Sequence, residues 1–190
     1  MTDPTDNKGN TYTRILNTTN IKAWIAYDAA GGVTTVTANN GAHCVMFLVE
    51  ESGLNPSAVF NGGSTHFDAY GVYSGWTTGS VTTTAATVAY MLAGTVSSMT
   101  PGFTASAPFS GVTSGNGITN GDHPVTSYGS DAYLARAAYA APGTYNPGGT
   151  ITGNADIDSG VVFLTVASSA SPLYVAHRRN VFVNDYLVQS

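Results

Sequence analysis

Apolar residues nowhere recur at helical spacing over a helix-length window of this chain. Short runs rich in Val, Ile, Thr, Phe and Tyr are instead cut by Gly, Asn, Pro and Ser. Such runs build strands joined by turns, so the expected class is all-β. Candidate strands cover 10–16, 21–27, 33–38, 43–50, 75–84, 87–96, 102–109, 132–140, 150–153 and 160–167, with a final pair at 173–177 and 181–187. A chain of 190 residues is long enough to bury a core as one β-domain without disulfides.

Within that pattern, 45–49 and 161–166 are nearly continuous in apolar residues and are expected to be central strands covered on both faces or strands near a sheet-sheet contact. The runs 33–37 and 81–84 mix Val with Thr and suit an outer face that meets water without much charge. Ala30-Gly31-Gly32 reads as a hairpin turn, and 110–122, with four glycines and two asparagines, reads as a long surface loop. The serine-rich stretch 168–172 interrupts the strand pattern. It divides a β-sandwich domain at 1–167 from an appended strand-forming segment at 168–190. No repeat of 20–50 residues argues for a solenoid or propeller.

Charge narrows the partners. Charged residues make up 9% of the chain, against roughly 25% in ordinary domains, and the net charge is -5. Six scattered Lys and Arg give no cationic footprint for nucleic acid, so no nucleic-acid partner is expected. No apolar run approaches the length of a membrane helix, so no membrane partner is expected either. Met1-Thr2-Asp3-Pro4 carries no feature of a secretory signal. The single Cys44 lies in an apolar run and reads as a small buried hydrophobe; His43 beside it would point to the opposite face of a strand.

Reactive constellations are not found. His43, His66, His123 and His177 show no i, i+2 or i, i+4 spacing for zinc, and the Gly pairs at 31–32, 62–63 and 148–149 lack phosphate-loop spacing. Asn154, Asp156 and Asp158 resemble a calcium loop, but Gly153 and Gly160 beside them favour a tight turn without metal. Glu50 and Glu51 are adjacent at a strand end, and no GxSxG elbow occurs. The expectation is therefore no enzyme, no catalytic residue, no metal and no cofactor. Trp24, Trp76 and most tyrosines are expected in the core or a subunit interface, with sugar stacking by exposed rings as the alternative.

The run from Asp6 through Asn7-Lys8-Gly9-Asn10-Thr11-Tyr12 to Thr13, then Trp24-Ile25-Ala26-Tyr27 and 30–37, resembles a Gly- and Thr-rich β-sandwich module. The resemblance extends through 45–53 with Leu54-Asn55-Pro56, through 77–84, and through Gly143-Thr144-Tyr145 and 161–167. Similar modules occur in bacterial surface proteins and in tailed-phage virions as decoration, fibre or tail components. Members usually begin with an apolar strand or two before the "D-x-x-G-N-T-Y" turn, whereas this chain starts at that turn. The missing strand would leave an open sheet edge, which the C-terminal segment could fill.

The reading is thus a single antiparallel β-sandwich of jelly-roll type with an appended C-terminal strand. The expected function is that of a non-enzymatic structural protein of a bacteriophage virion, a capsid decoration protein that stabilises the head. Such a protein assembles in the host cytoplasm as a homo-oligomer on a major capsid or other virion protein. The alternative is a carbohydrate-binding or adhesive module of a secreted, extracellular bacterial surface protein. Tyr174, Arg178, Arg179, Phe182 and Tyr186 are the expected assembly contacts, by strand completion within the subunit or strand addition to a neighbour.

Overall fold

The computed structural model describes residues 2–18, 21–38, 44–94, 102–111, 118–119, 131–152, 154–168 and 179–187. Strands are numbered along the chain, and every pairing between them is antiparallel. The protein is an all-β sandwich whose middle sheet is covered on both faces, one layer more than two sheets packed face to face.

That middle sheet contains β6 (Phe60–Val72), β9 (Thr87–Gly94), β11 (Ser110–Gly111), β13 (Asp131–Tyr139) and β16 (Asn154–Thr165), in the order β11-β13-β9-β16-β6; β12 (Ile118–Thr119) also pairs with β13. All eight residues of β9 are buried, because both faces of the strand are covered. Val88, Tyr90 and Leu92 join Val162 and Leu164 in one core, while Ala89, Met91 and Ala93 join Val161 and Phe163 in the other. The period of two thus sends one unbroken apolar run into two cores. Burying a Leu or Phe side chain of this kind contributes roughly 1.5–3 kcal/mol.

The first core is closed by a four-stranded sheet of β2 (Tyr12–Asn17), β3 (Ile21–Ala29), β17 (Arg179–Leu187) and β5 (Cys44–Glu51), in the order β2-β3-β17-β5. Ile21, Ala23 and Ile25 of β3 and Phe47 of β5 face the middle sheet. On the outer face of β3, Trp24 and Ala26 are covered by an N-terminal arm, in which β1 (Thr5–Asp6) pairs with β4 (Val36–Thr37). The Trp24 indole Nε1 donates to Asp3 Oδ1 at 2.8 Å, and the Arg14 guanidinium lies 5.3 Å over the ring. The indole bond first, and a bond from Arg14 Nη2 to Asp3 Oδ1 at 2.6 Å second, hold the Asp3 carboxyl below the usual carboxylate range.

The second core is closed by two small sheets: β10 (Gly102–Ala105), β15 (Gly148–Thr152) and β7 (Gly75–Thr77), and β14 (Gly143–Tyr145) with β8 (Val81–Thr83). Trp76, Val81 and Ile151 press on Phe163 and its neighbours from these strands. Both tryptophans are therefore core residues.

Several expectations are corrected. The run 45–49 lies at a sheet-sheet contact but is not covered on both faces: among the described residues β5 ends its sheet, with Phe47 buried against the middle sheet and Leu48 49% exposed. Residues 30–32 do not close a hairpin, because β4 pairs with β1 and not with β3. The expected strand 75–84 breaks at Gly79, whose φ of +81° turns the chain from one small sheet into another. Asn154, Asp156 and Asp158 are not a reversal between strands. They open β16 opposite Val72 to Phe67, with a register shift between Ala155 and Ile157 at which Asp156 faces two residues of β6, Ala69 and Tyr70. In the expected loop 110–122, residues 110–111 and 118–119 pair with β13.

The C-terminal segment is no appendage. β17 lies between β3 and β5, with Phe182 opposite Ile25 on one side and Val49 on the other. The boundary expected at 167 therefore separates two parts of one sandwich. The strand expected at 173–177 lies outside the described residues.

Candidate assembly interface

Of the two modes of assembly expected for the C-terminal strand, its backbone adopts strand completion within the subunit. Arg179, Phe182 and Tyr186 belong to β17, and Phe182 and Tyr186 are paired on both sides. With both edges hydrogen-bonded, β17 has no free backbone edge with which to extend a neighbour's sheet. Tyr174 and Arg178 lie outside the described residues, as do the side chains of Arg179, Phe182 and Tyr186. The same holds for His43, His123, His177 and the Cys44 side chain. Among the described residues, no group of three His, Cys, Asp or Glu side chains is placed to hold a metal.

The unpaired edge lies elsewhere. β6 is a terminal strand of the middle sheet, hydrogen-bonded to β16 on one side and, among the described residues, to no strand on the other. Its 13 residues, Phe-Asn-Gly-Gly-Ser-Thr-His-Phe-Asp-Ala-Tyr-Gly-Val, show little alternation, which is why the sequence does not announce a strand. The hydrogen bonds of β16 impose the extended form instead. Pairing is regular from Gly62 opposite Phe163 to Asp68 opposite Ile157, and the register shifts at each end of that segment.

Two anchors fix the strand. Ser64 Oγ donates to the Thr78 carbonyl at 2.7 Å near its start, and the Tyr73 hydroxyl donates to the Ala69 carbonyl near its end. Gly63 permits close packing at the start, since a Cβ there would stand 3.0 Å from Leu16 Cδ2 and 2.8 Å from the Val161 carbonyl.

Four of the six large hydrophobic residues exposed among the described residues are on this strand: Phe60, Phe67, Tyr70 and Val72. Phe67 is 55% exposed, Tyr70 65% and Val72 81%. His66 and Asp68 share one face, with His66 Nε2 3.1 Å from Asp68 Oδ1. An exposed, apolar edge is the standard template for pairing with another chain. The signal available in the sequence was the cluster of three aromatic residues within 60–72; the absence of strand alternation hid it.

A second polar cluster joins the two main sheets. Glu51 of β5 accepts from the Arg136 guanidinium of β13 and from the Tyr90 hydroxyl of β9. Burial first, and then the bond to Glu51, push the Tyr90 phenol above its ordinary range; the Glu51 carboxylate does the same for Arg136. Tyr90 therefore stays protonated and Arg136 charged near neutrality, so neither serves as a base, and the Glu51 oxygens are occupied. The arrangement suits a tie between sheets.

The Asp6 carboxylate organises the arm. Oδ1 accepts from the Lys8 and Asn10 amides at 2.7 and 3.2 Å, and Oδ2 accepts from Asn10 Nδ2 and the Tyr12 hydroxyl at 2.7 and 2.8 Å. Asn10 Oδ1 in turn accepts from the Ala30 amide, and Asn7 Oδ1 from Thr34 and Thr35. The "D-x-x-G-N-T-Y" residues are thus a folding knot for the N-terminal arm. No protein family, curated protein or solved structure matches the chain.

Proposed function

We propose that this chain is a non-enzymatic structural protein of a bacteriophage virion, a capsid decoration protein that works through contacts with copies of itself and with a major capsid or other virion protein. The observation that carries this reading is β6, a long sheet edge on which exposed Phe and Tyr are concentrated. A protein with 9% charged residues has little charge to shield such an edge from association. A building block that spends its life within a particle has no need of that shield, and its edge is covered on assembly. Immunogold labelling of purified phage particles with an antibody to this chain tests the reading. Gold on the heads supports it, gold on tails or fibres moves the position, and particles free of the chain refute it.

A carbohydrate-binding or adhesive role on a bacterial surface is the second reading, favoured by the exposed ring of Tyr70. The stacking residue would be this tyrosine, because Trp24 and Trp76 are buried. Glycan-array binding that disappears in Tyr70→Ala would establish it.

A further inference from the structure

We propose that the edge of β6 left unpaired among the described residues pairs with the same edge of a second copy, antiparallel about a two-fold axis at Phe67, so that the middle sheet runs on through both subunits. The inference rests on the structural reading above and specifies the contact. An isologous contact needs a self-complementary patch, in which each residue meets a partner residue that meets it in return. Residues 66–68 satisfy this condition. With the axis at Phe67, His66 lies opposite the partner's Asp68, and Asp68 opposite the partner's His66. Cross-strand neighbours share a face, so the two His and two Asp side chains form one polar cluster. Phe67, on the other face and 55% exposed, meets the partner's Phe67 as a cross-strand aromatic pair.

Side-chain chemistry also fixes the register. Moving the axis one residue in either direction would set His66 against the partner's His66, or Asp68 against the partner's Asp68, the second of which brings two carboxylates together. An imidazole and a carboxylate two residues apart, already within hydrogen-bond distance of each other, are matched by antiparallel self-pairing about Phe67. The segment is also straight enough to pair, since β6 is regular against β16 from Gly62 to Asp68. The regular segment ends at Asp68, beyond which Ala69 and Tyr70 bulge and the Ala69 carbonyl accepts from the Tyr73 hydroxyl, so the pairing is centred on residues 66–68.

Sedimentation velocity on the full chain, at concentrations up to about 0.1 mM, reads the dimer directly. The wild type is expected to dimerise, and Phe67→Lys to raise the dissociation constant at least about tenfold by setting two cations on the axis. His66→Asp is expected to weaken the dimer by setting carboxylates against each other, and His66→Asp combined with Asp68→Lys to restore it, because opposite charges then face each other. In a Cys44→Ala background, Phe67→Cys is expected to form a disulfide-linked dimer on mild oxidation, and Thr65→Cys not to. This pair of variants locates the axis even if Phe67→Lys fails to fold.

A wild type that stays monomeric overturns the inference. So does a dimer indifferent to Phe67→Lys, or cross-linking through Thr65→Cys in place of Phe67→Cys. A monomer whose retention on phage particles is lost in Phe67→Lys assigns the edge to a different protein and also overturns it. Particles lacking the chain defeat the structural reading whatever the oligomeric state, so the two failures are distinguishable.

Discussion

Arg136 grips the Glu51 carboxylate with two parallel hydrogen bonds, Nε to Oε2 at 2.9 Å and Nη2 to Oε1 at 3.0 Å. The pair spans the gap between β13 of the middle sheet and β5 of the four-stranded sheet. Fork-on-fork geometry holds both planar groups in one orientation, which a lysine cannot reproduce. The Tyr90 hydroxyl completes the set by donating to the same carboxylate.

Arg136→Ala leaves a Glu51 that is only 15% exposed without its cation. The expected loss is about 1–2 kcal/mol, held down by the partial exposure of the arginine. Arg136→Lys should recover only part of it. Urea unfolding of the three proteins measures the difference, and equal midpoints would show that the tie contributes nothing.

Acid should loosen the arm through Asp6. Burial alone would raise its carboxyl, but the bonds from the Asn10 side chain, the Tyr12 hydroxyl and the Lys8 and Asn10 amides outweigh that and hold it at about 2. A carboxyl depressed in the folded state adds stability that is fully present above its unfolded value near 3.8 and fades as pH falls towards 2. After allowance for solvent screening the contribution is about 1 kcal/mol. The melting temperature of Asp6→Asn should therefore lie below that of the wild type at neutral pH and converge with it near pH 2. Parallel curves would remove Asp6 from the account.

The pair Gly148-Gly149 owes its composition to packing. A Cβ on Gly149 would stand 1.8 Å from the Thr104 carbonyl oxygen and 2.9 Å from Trp76 Nε1, where backbone on a neighbouring strand cannot withdraw cheaply. Gly149→Ala should cost about 3 kcal/mol or more, or prevent folding. Gly9 has open space but a φ of +73°, so Gly9→Ala should cost only about 1 kcal/mol. Thermal unfolding of both variants checks the order; a milder effect at Gly149 would contradict the packing.

Deleting residues from Pro172 onward removes β17 and opens a gap between β3 and β5. The shortened chain should show no cooperative unfolding transition, because two strand edges lose their hydrogen-bond partners together. Circular dichroism during heating reads this. A folded, soluble truncate would mean that β3 and β5 can close on each other.

Local chemistry alone determined the class and most of the strands. Runs such as 21–27, 87–94 and 161–165 carry β-branched and aromatic side chains whose preference for a strand is local, whichever sheets come to cover them. Trp24 and Trp76 were legible as core residues for the same reason, since so much apolar area is costly to expose. Tertiary structure decided what depends on a distant partner. β6 is extended because β16 supplies its hydrogen bonds, although Gly62-Gly63 and the polar residues of 64–68 give the segment no strand pattern of its own. Ala69 and Tyr70 form a bulge because Ala155 and Ile157 of the facing strand leave only Asp156 opposite them. Whether β17 completes its own sheet or extends a neighbour's is decided only by β3 and β5, which leave a place between them. Side-chain pattern is written residue by residue, but which edge remains open depends on every pairing made by the rest of the chain.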